Sequence, residues 1–258
     1  MQGNTSNQTI TAQDFLRLYD QHKTNRSGDP FIKVNIEKRK VVETDEFSVK
    51  YYNVYYKHGV NYRPLYVRFD RFTNFYGFRK TNKFKDACVT MSLKDSSKDK
   101  AENSIGHVFK ILDREFTRLV KHYFHESKYL SFRQTVDKDG EPIDDPYIRV
   151  KARHAKDGKL MGTYVCAGSS EKPSIFTRDN IQKLIHPHSE CKMIVNFSYL
   201  VETEKGISNS CCLKEMLYKN SKKKNEFLAN DPDFDDIDDD DDEDGEQKGD
   251  SDREEGPL

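Results

Sequence analysis

The chain has no apolar run near the roughly 20 residues that a membrane-spanning helix needs. Its opening, MQGNTSNQT, holds no apolar stretch of the kind that begins a secretory signal. Cysteine is sparse: Cys88, Cys166, Cys191, Cys211 and Cys212 are odd in number and scattered. A disulfide framework is therefore not expected, and a reducing, intracellular setting is. On that basis the NxS/T tripeptides at Asn4, Asn7, Asn25 and Asn196 read as chance matches.

Catalytic signatures are missing too. There is no GxxxxGK[ST], GxSxG or HExxH, and no paired-carboxylate pattern, and Asp144-Asp145 precedes a strand where a turn wants such residues anyway. No residue is a candidate catalyst, and the chain is read as a non-enzyme. HPHSEC (His186, His188, Cys191) with Cys211 and Cys212 could supply four zinc ligands, but no CxxC pair exists and adjacent cysteines on a strand point to opposite faces. Cys191 and Cys212 are read instead as small core residues, and no metal or cofactor is expected.

What the chain does have is charge, unevenly placed. The net charge of −1 hides a stretch from Asn230 to Leu258 with 16 Asp plus Glu against Lys248 and Arg253. The other 229 residues then hold 41 Lys plus Arg against 28 Asp plus Glu, a surplus of +13 opposite a tail of −14. The tail repels itself and has almost nothing to bury, so residues 221–258 are expected to be disordered, as are residues 1–9. The body, residues 10–220, is long enough for one good core, and its surplus suits a polyanion such as nucleic acid. A lysine-rich solvated surface is the plainer explanation of the same charge.

Most of the body reads as strands. PFIKVNIE, EFSVKYYNVYYK, YRPLYVRFDRF, ACVTMSLK, KYLSFRQTV, DPYIRVKARH, KLMGTYVCAG, KMIVNFSYLVET and ISNSCCLKEMLY alternate or carry β-branched and aromatic residues. KHGVN between the second and third reads as a hairpin turn, and DKDGEP, AKDGK and TEKG as further turns. Helices are expected over Thr11 to Lys23, over TRDNIQKLI, and over NSIGHVFKILDREFTRLVKHYFHES behind an Asn103 cap. The last carries Ile105, Val108, Phe109, Leu112, Phe116, Leu119, Val120 and Phe124 on one stripe. The fold class is β-rich α+β, with an OB-type, partly open barrel around a long helix and β insertions.

Residues 47 to 69, FSVKYYNVYYKHGVNYRPLYVRF, hold eight Tyr or Phe with Lys50, Lys57, Arg63 and Arg68 and no carboxylate. Single-strand binders combine a basic groove with rings on which bases stack, and a period-2 strand delivers both to one face while the other fills the core. On Tyr62 to Phe69, Leu65, Val67 and Phe69 should point inward and Tyr62, Tyr66 and Arg68 outward. The earlier strand is open: either Val49, Tyr51, Asn53 and Tyr55 face solvent, or Lys50, Tyr52, Val54 and Tyr56 do. For any single tyrosine core packing and stacking both stand, and at least two of the set should be exposed. On charge and pattern the candidate DNA contacts are Lys50, Tyr52, Tyr55, Tyr62, Arg63, Tyr66, Arg68, Arg71, Arg79, Lys80, Arg149, Lys151 and Arg153.

Three stretches, SVKYYNV (Ser48 to Val54), RPLYVRF (Arg63 to Phe69) and DNIQKLIHPHSECKMIVNFSYLVETEKGISNSCCLKEM (Asp179 to Met216), resemble the single-stranded DNA-binding proteins of nucleocytoplasmic large DNA viruses, the family that includes the African swine fever virus protein. The last is the most specific: a short helix, His188-Ser189, a strand, a Gly206-to-Ser208 turn and a closing strand keep the family's order. The likeness runs over roughly residues 10–218, and the chain departs from the family in its acidic tail and shorter central region. It implies an OB-type core, binding of single strands without sequence preference in viral DNA replication, and a place in the host-cell cytoplasm (the virus factory) or nucleus.

The tail DPDFDDIDDDDDEDGE also resembles the acidic ends of bacterial and phage single-strand-binding proteins. It could compete with DNA for the basic groove, or present Phe234 and Ile237 to viral replication proteins. The expected partners are single-stranded DNA or RNA and those proteins, with no membrane and with oligomerisation open. The competing reading is an RNA-binding or histone-binding interaction protein that works through its acidic tail.

Overall fold

The computed structural model describes residues 9–24, 28–43, 48–72, 75–79, 87–92, 100–125, 127–136, 140–155, 157–166, 176–177, 180–187 and 189–219. Lys80, His188, Phe234, Ile237 and the whole acidic tail lie outside them. The described part falls in one compact unit, Met1–Ser221. No described helix is long and apolar enough to cross a membrane.

Alternating apolar residues make most of the described residues strand, as expected. In chain order the elements are β1 (Thr9–Thr11), α1 (Ala12–Thr24), β2 (Ile32–Glu43), β3 (Ser48–His58), β4 (Asn61–Pro64), β5 (Tyr66–Phe72), β6 (Phe75–Arg79) and β7 (Ala87–Ser92). Then follow α2 (Lys100–Tyr123), β8 (Tyr129–Leu130), β9 (Arg133–Val136), β10 (Pro142–Ala152), β11 (Thr163–Cys166), α3 (Ile181–Leu184), β12 (Glu190–Asn196), β13 (Tyr199–Thr203), β14 (Gly206–Asn209) and β15 (Cys212–Lys219). They form two mixed sheets. The larger runs β1-β5-β12-β15-β10-β7-β6, with β11 on β15 and β9 on β10; the smaller runs β2-β3-β13-β14-β8, with β4 on β3. Neither path of described strands returns on itself, so the β-rich α+β class holds while a closed barrel does not form.

Three segments that read as single strands are each broken where the chain passes from one sheet to the other: at Leu65 between β4 and β5, at Phe197-Ser198 between β12 and β13, and at Ser210-Cys211 between β14 and β15. These crossings lie side by side and share bonds. Phe197 N–H donates to Leu65 O at 2.9 Å, Val54 N–H to Ser198 O at 2.8 Å and Ser210 N–H to Tyr199 O at 2.9 Å. Buried side chains complete the seam. Asn209 Nδ2 donates to Phe197 O at 2.9 Å and Tyr199 O at 3.0 Å, Ser198 Oγ donates to Leu65 O at 3.2 Å, and Asn196 Oδ1 accepts from Ser198 N–H at 2.8 Å. Breaking a ladder inside a core exposes backbone groups to no water, and these side chains replace the lost partners.

The helices close the core. Thr11 caps α1 by accepting Asp14 N–H at 3.0 Å and donating to Asp14 Oδ2 at 2.9 Å, a reciprocal cap. The long helix begins at Lys100, ahead of the expected Asn103 cap. Its stripe is where periodicity put it: Val108, Phe109, Leu112, Phe116, Leu119 and Val120 are all buried. Phe109 stacks on Phe69 with ring centroids 5.2 Å apart and meets Phe132 and Phe197 edge-on, so α2 bridges the large sheet and the seam. Cys191 and Cys212 are buried, as expected of small core residues. The turn of the β3–β4 hairpin holds Gly59 at φ +60°, the conformation the KHGVN break suggested. The TEKG turn forms at Glu204-Lys205, whereas Gly206 to Ser208, expected as a turn, is strand: Gly206 opens β14 opposite Thr203 with φ +137°, where an added Cβ would sit 2.5 Å from Lys128 O across the β14–β8 pairing.

Candidate nucleic-acid interface

The open question of β3 has an answer. Tyr52, Val54 and Tyr56 are buried, while Val49, Tyr51, Asn53 and Tyr55 are half-buried on the other face. The inward rings are held by what packs beneath them: Tyr52 meets Phe124 edge-on at 4.9 Å, and Tyr56 meets Phe31, which packs on Phe15 and Tyr19 of α1. Both α1 and the end of α2 thus cover the inner face of the small sheet.

Strand register sets what lies on that face. Tyr55 is flanked by Lys33 and Pro64, Asn53 by Asn35 and Tyr199, Tyr51 by Lys40 and Val201, and Lys57 by Tyr62. Tyrosine and lysine thus alternate across three strands. The ammonium of Lys33 sits 3.6 Å from the centre of the Tyr62 ring, and Tyr62 Oη donates to Pro30 O at 2.8 Å. Burial raises the Tyr62 hydroxyl pKa, so the phenol stays neutral at ordinary pH. Lys57 pairs with Asp29 at 2.6 Å and holds that exposed carboxyl below its usual range. A groove of about 520 Å³ opens at the β2 edge, lined by Lys33, Asn35, Ile36, Glu37, Tyr55, Tyr62 and Tyr123. Neutral rings beside ammonium groups can take a base face and a phosphate together.

The sequence-based contacts do not form one patch. On the small sheet only Tyr55 and Tyr62 belong to the outer face. Tyr52 is core: it is 4% exposed and donates its hydroxyl to Glu202, and it cannot stack a base from there. Burial and the Glu202 bond push its hydroxyl up to about 12. Lys50 is half-buried and tied to the same Glu202 at 3.0 Å, and Arg63 pairs across to inward-facing Tyr56. On β5, Leu65, Val67 and Phe69 point inward as expected, Arg68 is exposed and paired with Asp70 at 2.8 Å, and Tyr66 is half-buried. Burial leads the rise in the Tyr66 hydroxyl's pKa.

Arg71 stands on β5 and Arg79 on β6. Arg149 and Lys151 stand on β10, three strands from β5, or about 14 Å at a usual strand spacing of about 4.8 Å, and Arg153 lies just past the end of β10. Arg149 is occupied with Tyr147, its guanidinium 5.5 Å from that ring. No tyrosine of the 47–69 stretch is fully exposed; those at the surface are half-buried. Pattern reading missed Lys33, Lys40, Tyr51, Lys57 and Tyr199. Tyr51 lay on the alternative register that the sequence left open, and the two β2 lysines are found once the β2–β3 pairing is drawn.

No group of three or more metal-ligating side chains occurs among the described residues. Burial pushes the Cys191 thiol up to about 12 and Cys211 well above its ordinary value, so both are held as thiols. No family model matches the chain, and the search of curated proteins found no match.

Proposed function

We propose that this protein binds single-stranded DNA without sequence preference, through the outer face of the small sheet, as a non-catalytic component of viral DNA replication. The observation that carries the reading is that Tyr51, Tyr55, Tyr62 and Tyr199 share one sheet face with Lys33, Lys40 and Lys57. A body surplus of +13 supports a polyanionic ligand. Rings without a hydrogen-bond code suit any base, which is why no sequence preference is expected. The OB-type relationship enters here in a restricted form. Three strands that pass from one sheet to the other at a shared seam are what a partly open barrel uses to turn its corners.

The test is a mobility-shift titration of the full chain with oligo-dT against duplex DNA of equal length. Strong oligo-dT binding with weak duplex binding supports the reading. Binding to neither, with capture of histones by the acidic tail, would replace it with the interaction-protein reading.

A further inference from the structure

We propose that the cleft between α1 and α2 is a second seat for the same strand, reached from the sheet face over the β2 edge past Tyr123; this rests on the single-strand reading above. The cleft is about 480 Å³, within the roughly 300–1,000 Å³ of small-ligand sites. Tyr123 lines both the cleft and the outer groove, so the two cavities meet at one ring. Its floor is aromatic: Tyr19 and Phe31 pack edge-on at 5.3 Å.

Lys23 and Arg118 stand at the mouth with Glu115 and Asp29, and both carboxylates are paired. Glu115 accepts Tyr19 Oη at 3.0 Å and Arg118 Nε at 3.1 Å, and Asp29 is held by Lys57. Lys23 and His122 are exposed at the rim, Lys23 4.9 Å from the Tyr19 ring centre. The Arg118 side chain is 50% exposed, and its terminal nitrogens make no bond to a described residue. A peptide strand is the poorer occupant of the edge between the cavities. At the β2 bulge Glu37 N–H and Lys38 N–H both donate to Asn35 Oδ1 at 3.1 Å, which removes two donors an added strand would need. A flexible, anionic, ring-bearing chain meets both cavities without using that edge.

The experiment measures full-chain binding to oligo-dT of about 5 and about 15 nucleotides, near the two ends of single-strand site sizes, across a range of salt. For the longer strand, K23Q/R118Q is expected to lower the magnitude of the log affinity against log salt slope by about 1.4, two phosphates at roughly 0.7 each. The loss for the shorter strand should be smaller. R118Q leaves buried Glu115 with one partner fewer, so K23Q alone, an exposed site, is the second variant and should lower the slope by about 0.7. Photocrosslinking of the longer strand should also label the α1 peptide that holds Lys23, which lines the cleft and not the outer groove. Unchanged slopes and no such label, while Tyr55→Ala still weakens binding, would overturn the second seat and leave the sheet-face reading in place. Failure of the wild-type protein to bind either strand would overturn both.

Discussion

Lys33 and Tyr62 meet as an ammonium over a ring at 3.6 Å although their strands, β2 and β4, are not neighbours; both flank β3. The contact covers one side of the ring with positive charge, which places a phosphate and a base within reach of one another. Lys33→Gln should therefore reduce the salt slope of single-strand binding by about 0.7 with little loss of stability. Titration at four or five salt concentrations measures it, and an unchanged slope would take Lys33 out of the interface.

Ring contacts should behave in the opposite way. Tyr55→Ala is expected to cost about 1–3 kcal/mol of single-strand affinity with little change in salt slope, because stacking does not release counterions. Tyr66→Ala carries the same expectation if bases run on past the seam. A folded Tyr66→Ala protein with full affinity would confine the track to the small sheet.

The seam is the point where packing depends on polar side chains. Asn209→Ala removes two bonds and takes the side-chain donor from the carbonyl of Phe197, while that of Tyr199 keeps Ser210 N–H, so a loss of about 1–3 kcal/mol is expected. A lower urea midpoint at constant m-value would show it. Exposed Lys40→Gln, by comparison, should leave the midpoint within about 0.5 kcal/mol of the parent.

Tyr52 predicts an alkaline transition. Burial and its bond to Glu202 raise the hydroxyl from 10.0 to about 12 in the folded protein. A group raised on folding contributes stability that is intact below its unfolded value and is lost as pH climbs through the folded one. Stability should thus fall between about pH 10 and pH 12, and Tyr52→Phe should flatten that fall. Denaturant midpoints measured every half pH unit across this window test it, and identical slopes in the two proteins would contradict the assignment.

Deleting Asp231 to Leu258 removes −14 of charge tethered to a body of +13. Tighter single-strand binding is expected at low salt, with the gain shrinking as salt rises because screening acts over about 8 Å at physiological ionic strength. F234S/I237S keeps the charge and should bind DNA as the full chain does. A truncated protein that binds no better than the full chain at low salt would end the competition model.

Much of this was legible in the residues. The inward set Leu65, Val67 and Phe69, the α2 stripe and the Gly59 hairpin follow from period 2, period 3.6 and a turn that wants a positive φ. Tyr52 against Tyr51 was not legible. Both faces of β3 carry rings, and periodicity is silent on which face is covered.

By itself the sequence determined that the chain is β-rich, that one long helix buries a single stripe, and that a basic body is joined to an acidic tail, because these depend on local pattern and summed charge. Only the tertiary structure decided which tyrosines reach the surface and which cations stand with them. The alternation of Tyr62, Pro64, Tyr66 and Arg68 runs through the sheet crossing without interruption, so nothing local marks the change of sheet at Leu65. The crossing is made by bonds from Phe197 and Ser198, more than 130 positions away. Likewise Tyr52 is core because Phe124 and Glu202 receive it, and Lys33 belongs to the surface because β3 brings β2 and β4 together. Contacts between residues distant in sequence set burial, and burial decided which rings and charges share a face.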